Sequence, residues 1–160
     1  MVKKPIYIDY DTCKKCQGEC CQRMPGMCIP EDFKKLTIKS VVKLLSSGKY
    51  AIDWWENDPR EDKEEFARVY YVRGRHVGER AINGSWGGVC VNWSLKSGCS
   101  LKDNERPFQC RMLKPQSYTF GDKHHNCGIP SEDKGTKKEL AVRWIPFQAT
   151  INKAINIYQG

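Results

Sequence analysis

The sequence has no long apolar run. Nothing in it approaches the roughly 20 consecutive apolar residues that cross a bilayer, which argues against a membrane-spanning protein. The start, Met1-Val2-Lys3-Lys4-Pro5-Ile6, carries two lysines without an apolar segment behind them. That absence argues against a secretory signal and for a cytoplasmic protein. Internal repeats and low-complexity tracts are also missing, which leaves out solenoids, propellers and biased tails. The chain has no phosphate-cradling Gly-rich loop, no Gly-x-Ser-x-Gly elbow and no His-Glu-x-x-His pair. The common signatures of nucleotide-binding, α/β-hydrolase and zinc-protease chemistry are therefore lacking.

What remains is a chain of 160 residues, 39% hydrophobic and 29% charged, with five Trp and seven Tyr. That composition excludes disorder and fits a single packed domain spanning residues 1–160, large enough to fold without disulfides. Against this ordinary background stand nine Cys. The number is odd, Cys20 and Cys21 are adjacent, and no secretory signal is read, so a disulfide ladder fits poorly. In a reducing compartment, clustered thiols point to metal ligation or redox chemistry.

The formal net charge is +8, from 27 basic and 19 acidic residues, which raises a nucleic-acid reading. Eight thiolates around two Zn²⁺ would lower that charge by four. The basic residues form no stripe either: Lys14, Lys15, Arg23, Arg106 and Arg111 sit beside cysteines, where they can offset thiolate charge and lower thiol pKa. Counter-charge plus a solvated surface accounts for the excess, and nucleic acid is not the expected partner.

The cysteines fall into two blocks, Cys13, Cys16, Cys20, Cys21 and Cys28 at one end, and Cys90, Cys99, Cys110 and Cys127 in the second half. The stretch between them reads as ordinary fold. Thr37 is placed to cap a helix with apolar positions Ile38, Val41, Val42 and Leu45, and Gly48 to stop it. Tyr50–Trp55 and Phe66–Arg73 are aromatic and β-branched, predicting an antiparallel strand pair, with 56–62 as a polar connection. The Gly-rich stretch from Arg73 to Gly88 reads as loop. Thr136-Lys137-Lys138-Glu139 has the form of a capping box. It opens a helical stripe of Leu140, Trp144, Ile151, Ile155 and Tyr158 that Pro146 should break.

Cys13-x-x-Cys16 is a pair whose spacing lets two sulfurs converge on one ion, and Cys20-Cys21 follows closely. Neighbouring side chains project in different directions, so the adjacent pair can serve two metals. A redox C-x-x-C would need a strand–helix context that is not evident here. In the second block, Gly98 permits a tight turn before Cys99, and Pro107 suits the first residue of a short helix carrying Cys110. Cys28, among Met24-Pro25-Gly26-Met27 and Ile29-Pro30, lies outside both motifs and reads as a spare thiol. His124 and His125 precede Cys127 and could add imidazole ligands, while His76 has no partner nearby in sequence. Asp53-Trp54-Trp55-Glu56 could line a pocket, but adjacent Trp on a strand more often pack on its two faces, and Glu61–Glu65 reads as acidic surface.

Cys13-x-x-Cys16 with Cys20-Cys21, then Cys90, Gly98-Cys99 and Arg106-Pro107-x-x-Cys110-Arg111, resembles the YkgJ-like cysteine-cluster family. The resemblance runs from about Cys13 to about Cys127. The family motif is C-x-x-C-x-x-C-C, whereas this chain has one more residue between Cys16 and Cys20. The resemblance implies zinc or iron chelation, or an iron–sulfur cluster, through these cysteines. Related clusters accompany enzymes of flagellin lysine methylation, so it also leaves open a catalytic role.

The sequence reading is thus a small α+β domain, with a short antiparallel sheet and several helices around a cysteine-ligated metal site. The expected ligands are Cys13, Cys16, Cys20, Cys21, Cys90, Cys99, Cys110 and Cys127, holding two zinc ions. An iron–sulfur redox or catalytic protein, for example one accessory to protein methylation, is the first alternative. A zinc-stabilised nucleic-acid binder is the second. The spacing matches neither the C-x2-C-x2-C-x3-C-P nor the C-x4-C-x2-C cluster run, which favours zinc over a cluster.

Overall fold

The two aromatic, β-branched runs pair as their composition predicts. Tyr50–Glu56 (β1) and Arg68–Gly74 (β2) are antiparallel, in register from Tyr50 opposite Gly74 to Glu56 opposite Arg68. The computed structural model to which they belong describes residues 21, 25–56, 68–84, 87–118, 125–129 and 135–160. Helix α1 (Ile38–Ser46) precedes this pair. After it come the short hairpin β3 (Trp93–Ser94) and β4 (Gly98–Cys99), helix α2 (Phe108–Met112) and the pair β5 (Lys114–Tyr118) and β6 (His125–Gly128). Helices α3 (Lys137–Val142) and α4 (Gln148–Gln159) close the chain. The architecture is mixed α+β, and each of the three strand pairs is antiparallel.

Neither edge of the β1–β2 ribbon is left open along its centre. Outward-facing backbone groups on β2 recur every second residue, and each meets a different partner. At Tyr70, the Gln148 amide accepts from N–H and donates to the carbonyl, both at 2.8 Å. At Val72 the carbonyl accepts from Cys28 N–H at 2.9 Å, and at Gly74 the N–H donates to the Gly26 carbonyl at 2.9 Å. On the far side, Ile52 of β1 donates to the Ala81 carbonyl and accepts from Asn83 N–H. The segments around Met27 and Ile82 therefore extend the ribbon on both sides.

The helices start where their capping chemistry dictates. The Thr37 hydroxyl accepts from Ser40 N–H, and Ser40 answers by accepting from Thr37 N–H. Gly48, with φ +78°, takes the left-handed turn just past the helix end. Thr136 and Glu139 make the same reciprocal exchange at α3. Pro146 separates α3 from α4 by a 3₁₀ turn, Ile145–Phe147, since it cannot supply the N–H that a continuous helix needs.

The core lies between the ribbon and the helices, with Trp144 near its middle. Its ring stands edge-on to Phe33 and Phe147, and Nε1 donates to the Cys28 carbonyl at 2.9 Å. Val41, Leu45, Ile52, Val72, Leu140, Ile151 and Ala154 fill the surroundings. The terminal stripe holds through Leu140, Trp144, Ile151 and Ile155, but Tyr158 is exposed in the last turn.

Two local expectations need correction. Arg73 is the buried penultimate residue of β2, and the stretch after it supplies bridges at His76 and Ile82, so 73–88 is only partly loop. Its glycines suggested irregularity, but the backbone pairing depends on neighbours remote in sequence. Pro107 is the cap residue before α2 rather than its first residue, in the extended conformation suited to that position. The connection expected over 56–62 and the acidic run 61–65 lie outside the described residues, apart from Glu56 at the end of β1.

Candidate metal centre

Cys90 meets the first cysteine block through its backbone. Its neighbours Val89 and Val91 pair with Val77 and Arg75, which makes Cys90 the partner of His76. Backbone polar groups alternate in direction along an extended segment, so the Cys90 N–H points away from that pairing. It donates to the Cys21 carbonyl at 2.8 Å. The Cys90 carbonyl then accepts from Trp93 N–H in a turn, and β3 places Trp93 opposite Cys99. Gly98, with φ +72°, is in the left-handed conformation expected at the tight return before Cys99. Cys90 and Cys99, apart in sequence, thus share one turn-and-hairpin unit.

Cys110 reaches the same segment from α2. The backbone of Met27 pairs with Gln109 twice: Met27 N–H donates to Gln109 Oε1 at 2.9 Å, and Gln109 N–H to the Met27 carbonyl at 3.1 Å. The Cys110 sulfur consequently lies directly over Gly26, where a Cβ would collide with it. Arg111, read as counter-charge for sulfur, is buried and serves as an internal tie. Its Nη1 donates to Asp32 Oδ1 and to the Arg106 carbonyl, each at 2.7 Å.

Cys21, Cys90, Cys99 and Cys110 are all half-buried, whereas Cys28 is only 1% exposed within the apolar core. Cys127 falls on β6 with Pro115 opposite it in the register. Cys13, Cys16 and Cys20 lie outside the described residues, as does His124. His125 is the first residue of β6, opposite Tyr118. Among the described residues, no group of three or more His, Cys, Asp or Glu side chains is arranged to hold a metal ion.

A polar cluster beside Cys90 was not anticipated from sequence. Arg73 is fully buried and donates Nε to Asp53 Oδ2 at 2.9 Å. Its two terminal nitrogens grip Glu79, at 2.6 and 2.8 Å, in the bidentate arrangement that suits a guanidinium. Burial works against the Arg73 charge, but the hydrogen bonds it donates to Glu79 and Asp53 hold its pKa above the ordinary value. His76 joins through its N–H, which donates to Glu79 Oε1 at 3.0 Å. The ring Nε2 lies 2.9 Å from Glu79 Oε2, close enough for an ion pair but off the line of a hydrogen bond. Gly88 lies close against the same ring, with a Cβ position 3.0 Å away. The available sequence signals were a strand Asp and Arg with alternating neighbours, but their partnership is visible only once the register is known. The expectation that His76 has no partner nearby in sequence is thereby corrected, since Glu79 stands only three residues on.

No protein-family model, curated protein or solved structure matches the chain. Among the described residues, no helix is long and apolar enough to cross a membrane.

Proposed function

We propose that the protein is a YkgJ-like cysteine-cluster metal-binding protein that holds zinc through Cys13, Cys16, Cys20, Cys21, Cys90, Cys99, Cys110 and Cys127. One observation carries this reading: thiol-bearing segments far apart in sequence reach Cys21 and Gly26. The Cys90 N–H reaches the Cys21 carbonyl at 2.8 Å, and the Cys110 sulfur lies over Gly26. The all-thiol donor set suits soft or borderline metals, and eight sulfurs divide into two tetrahedral zinc sites. Bound zinc would supply closed, redox-inert cross-links, and its binding free energy would add to folding. The chain's own contribution is to bring Cys90 against Cys21 and Cys110 against Gly26. The burial of Arg73 and Arg111 takes two cations out of reach of a phosphate backbone, which weighs against the nucleic-acid reading.

The test is metal analysis with an absorption spectrum on the full chain purified without air. Zinc near two equivalents, no visible absorption and unfolding by chelator are the expected results. Brown protein with iron and acid-labile sulfide would replace zinc by a cluster and make a redox or catalytic role the leading one. A chain that takes up neither zinc, nor iron with sulfide, would overturn metal binding altogether.

A further inference from the structure

We infer that Asp32 is the positioning residue for Cys110, an assignment that rests on the metal-binding reading above. Pro107, the cap residue before helix α2, offers no capping side chain. Asp32, remote in sequence, supplies the missing acceptor: its Oδ2 takes the Phe108 N–H at 2.9 Å. The same oxygen takes the Ile29 N–H at 2.9 Å, and Oδ1 takes Arg111 Nη1 at 2.7 Å. One carboxylate therefore joins the segment leaving the first cysteine block to both ends of a five-residue helix.

Cys110 sits between the two gripped positions, Phe108 and Arg111, with Gln109 pinned to Met27. Such a short helix has little stability by itself, so its orientation depends on these tertiary ties. The Asp32 side chain is 7% exposed and Arg111 1%, so water competes weakly for the pair. Gly26 completes the device by leaving room for the sulfur. The role assigned to Asp32 is orientation rather than ligation. It sets the direction in which the Cys110 thiol faces the first block.

The test uses the full chain loaded with Co²⁺, whose thiolate-to-cobalt charge-transfer band grows with the number of sulfur ligands. Asp32→Ala should lower the band by the same share as Cys110→Ser, with unchanged circular dichroism. Combining the two should lower it no further, since both remove one ligand. Asp32→Asn, which keeps an oxygen for the Phe108 N–H, should recover part of the signal. An undiminished band in folded Asp32→Ala, or an additive loss in the double variant, would overturn the assignment. If Asp32→Ala does not fold, Asp32→Asn decides: a loss relative to the exposed neighbour control Glu31→Gln supports the role, and equality overturns it. Absence of a band in the wild type removes the metal reading itself. Positioning is then decided by iodoacetamide alkylation of the metal-free chain, read by peptide mass. A several-fold faster reaction at Cys110 in Asp32→Asn supports positioning, and an unchanged rate sinks it.

Discussion

The Cys90 N–H donates to the Cys21 carbonyl at 2.8 Å, joining a member of the first cysteine block to the start of the second. The bond follows from alternation: Val89 and Val91 are committed to the strand extension, so the intervening N–H must find its partner on the opposite side. It places Cys21 against the extended segment in which Cys90 pairs with His76.

Cys28 and Cys110 should respond oppositely to replacement by serine. Cys28 is built into the core, its N–H bonded to Val72 and its carbonyl to the Trp144 indole. A hydroxyl in that apolar setting should cost about 1–3 kcal/mol of stability and leave the metal content unchanged. Cys110→Ser should lower the metal content. Parallel metal analysis and urea denaturation check both expectations, and equal metal loss in the two variants would show Cys28 to be a ligand.

Arg73→Met should be among the most damaging substitutions in the ribbon. It leaves Asp53 and Glu79 buried without their shared cation, a change that costs about 3–5 kcal/mol. Replacing all three with apolar residues of similar bulk should restore much of that loss, because the desolvation cost of the carboxylates disappears as well. Urea midpoints for the single and triple variants provide the comparison. A single variant within about 1 kcal/mol of wild type would mean that water reaches the site.

The elements that local chemistry decides were legible in the sequence. Thr37 and Thr136 announced their helices because a cap needs only neighbours three residues away. The strand pair was legible from its aromatic and β-branched composition. The candidate centre was legible as a set of cysteines, but the pairing of Cys90 with Cys21 depends on long-range backbone register. The role of Arg111 was obscured in the same way: beside Cys110 it reads as counter-charge, and only the fold brings Asp32 to it. Asp53 was legible only as a strand residue that could line a pocket, and its burial with Arg73 and Glu79 emerges only from the fold.

Alkaline pH should destabilise the protein through Tyr50. Burial, and then the negative charge of Cys28, Asp32 and Glu105, push its phenol from 10.0 up to about 12. The folded state therefore holds the proton more tightly than the unfolded chain does. The resulting stabilisation is fully present below pH 10.0 and is lost progressively as pH rises toward 12. Burial drives Tyr71 in the same direction, with Asp53 adding to the shift, so the loss should not be confined to one residue. Tyr50→Phe keeps the edge-on ring contact with Phe33, whose centroid is 5.6 Å away, and removes the ionisable group. Its stability should fall less steeply than that of wild type over this interval, as measured by urea unfolding at stepped pH. Tyrosinate absorbance should rise together with unfolding in the wild type. Identical slopes for the two proteins would show that Tyr50 ionises freely in the fold.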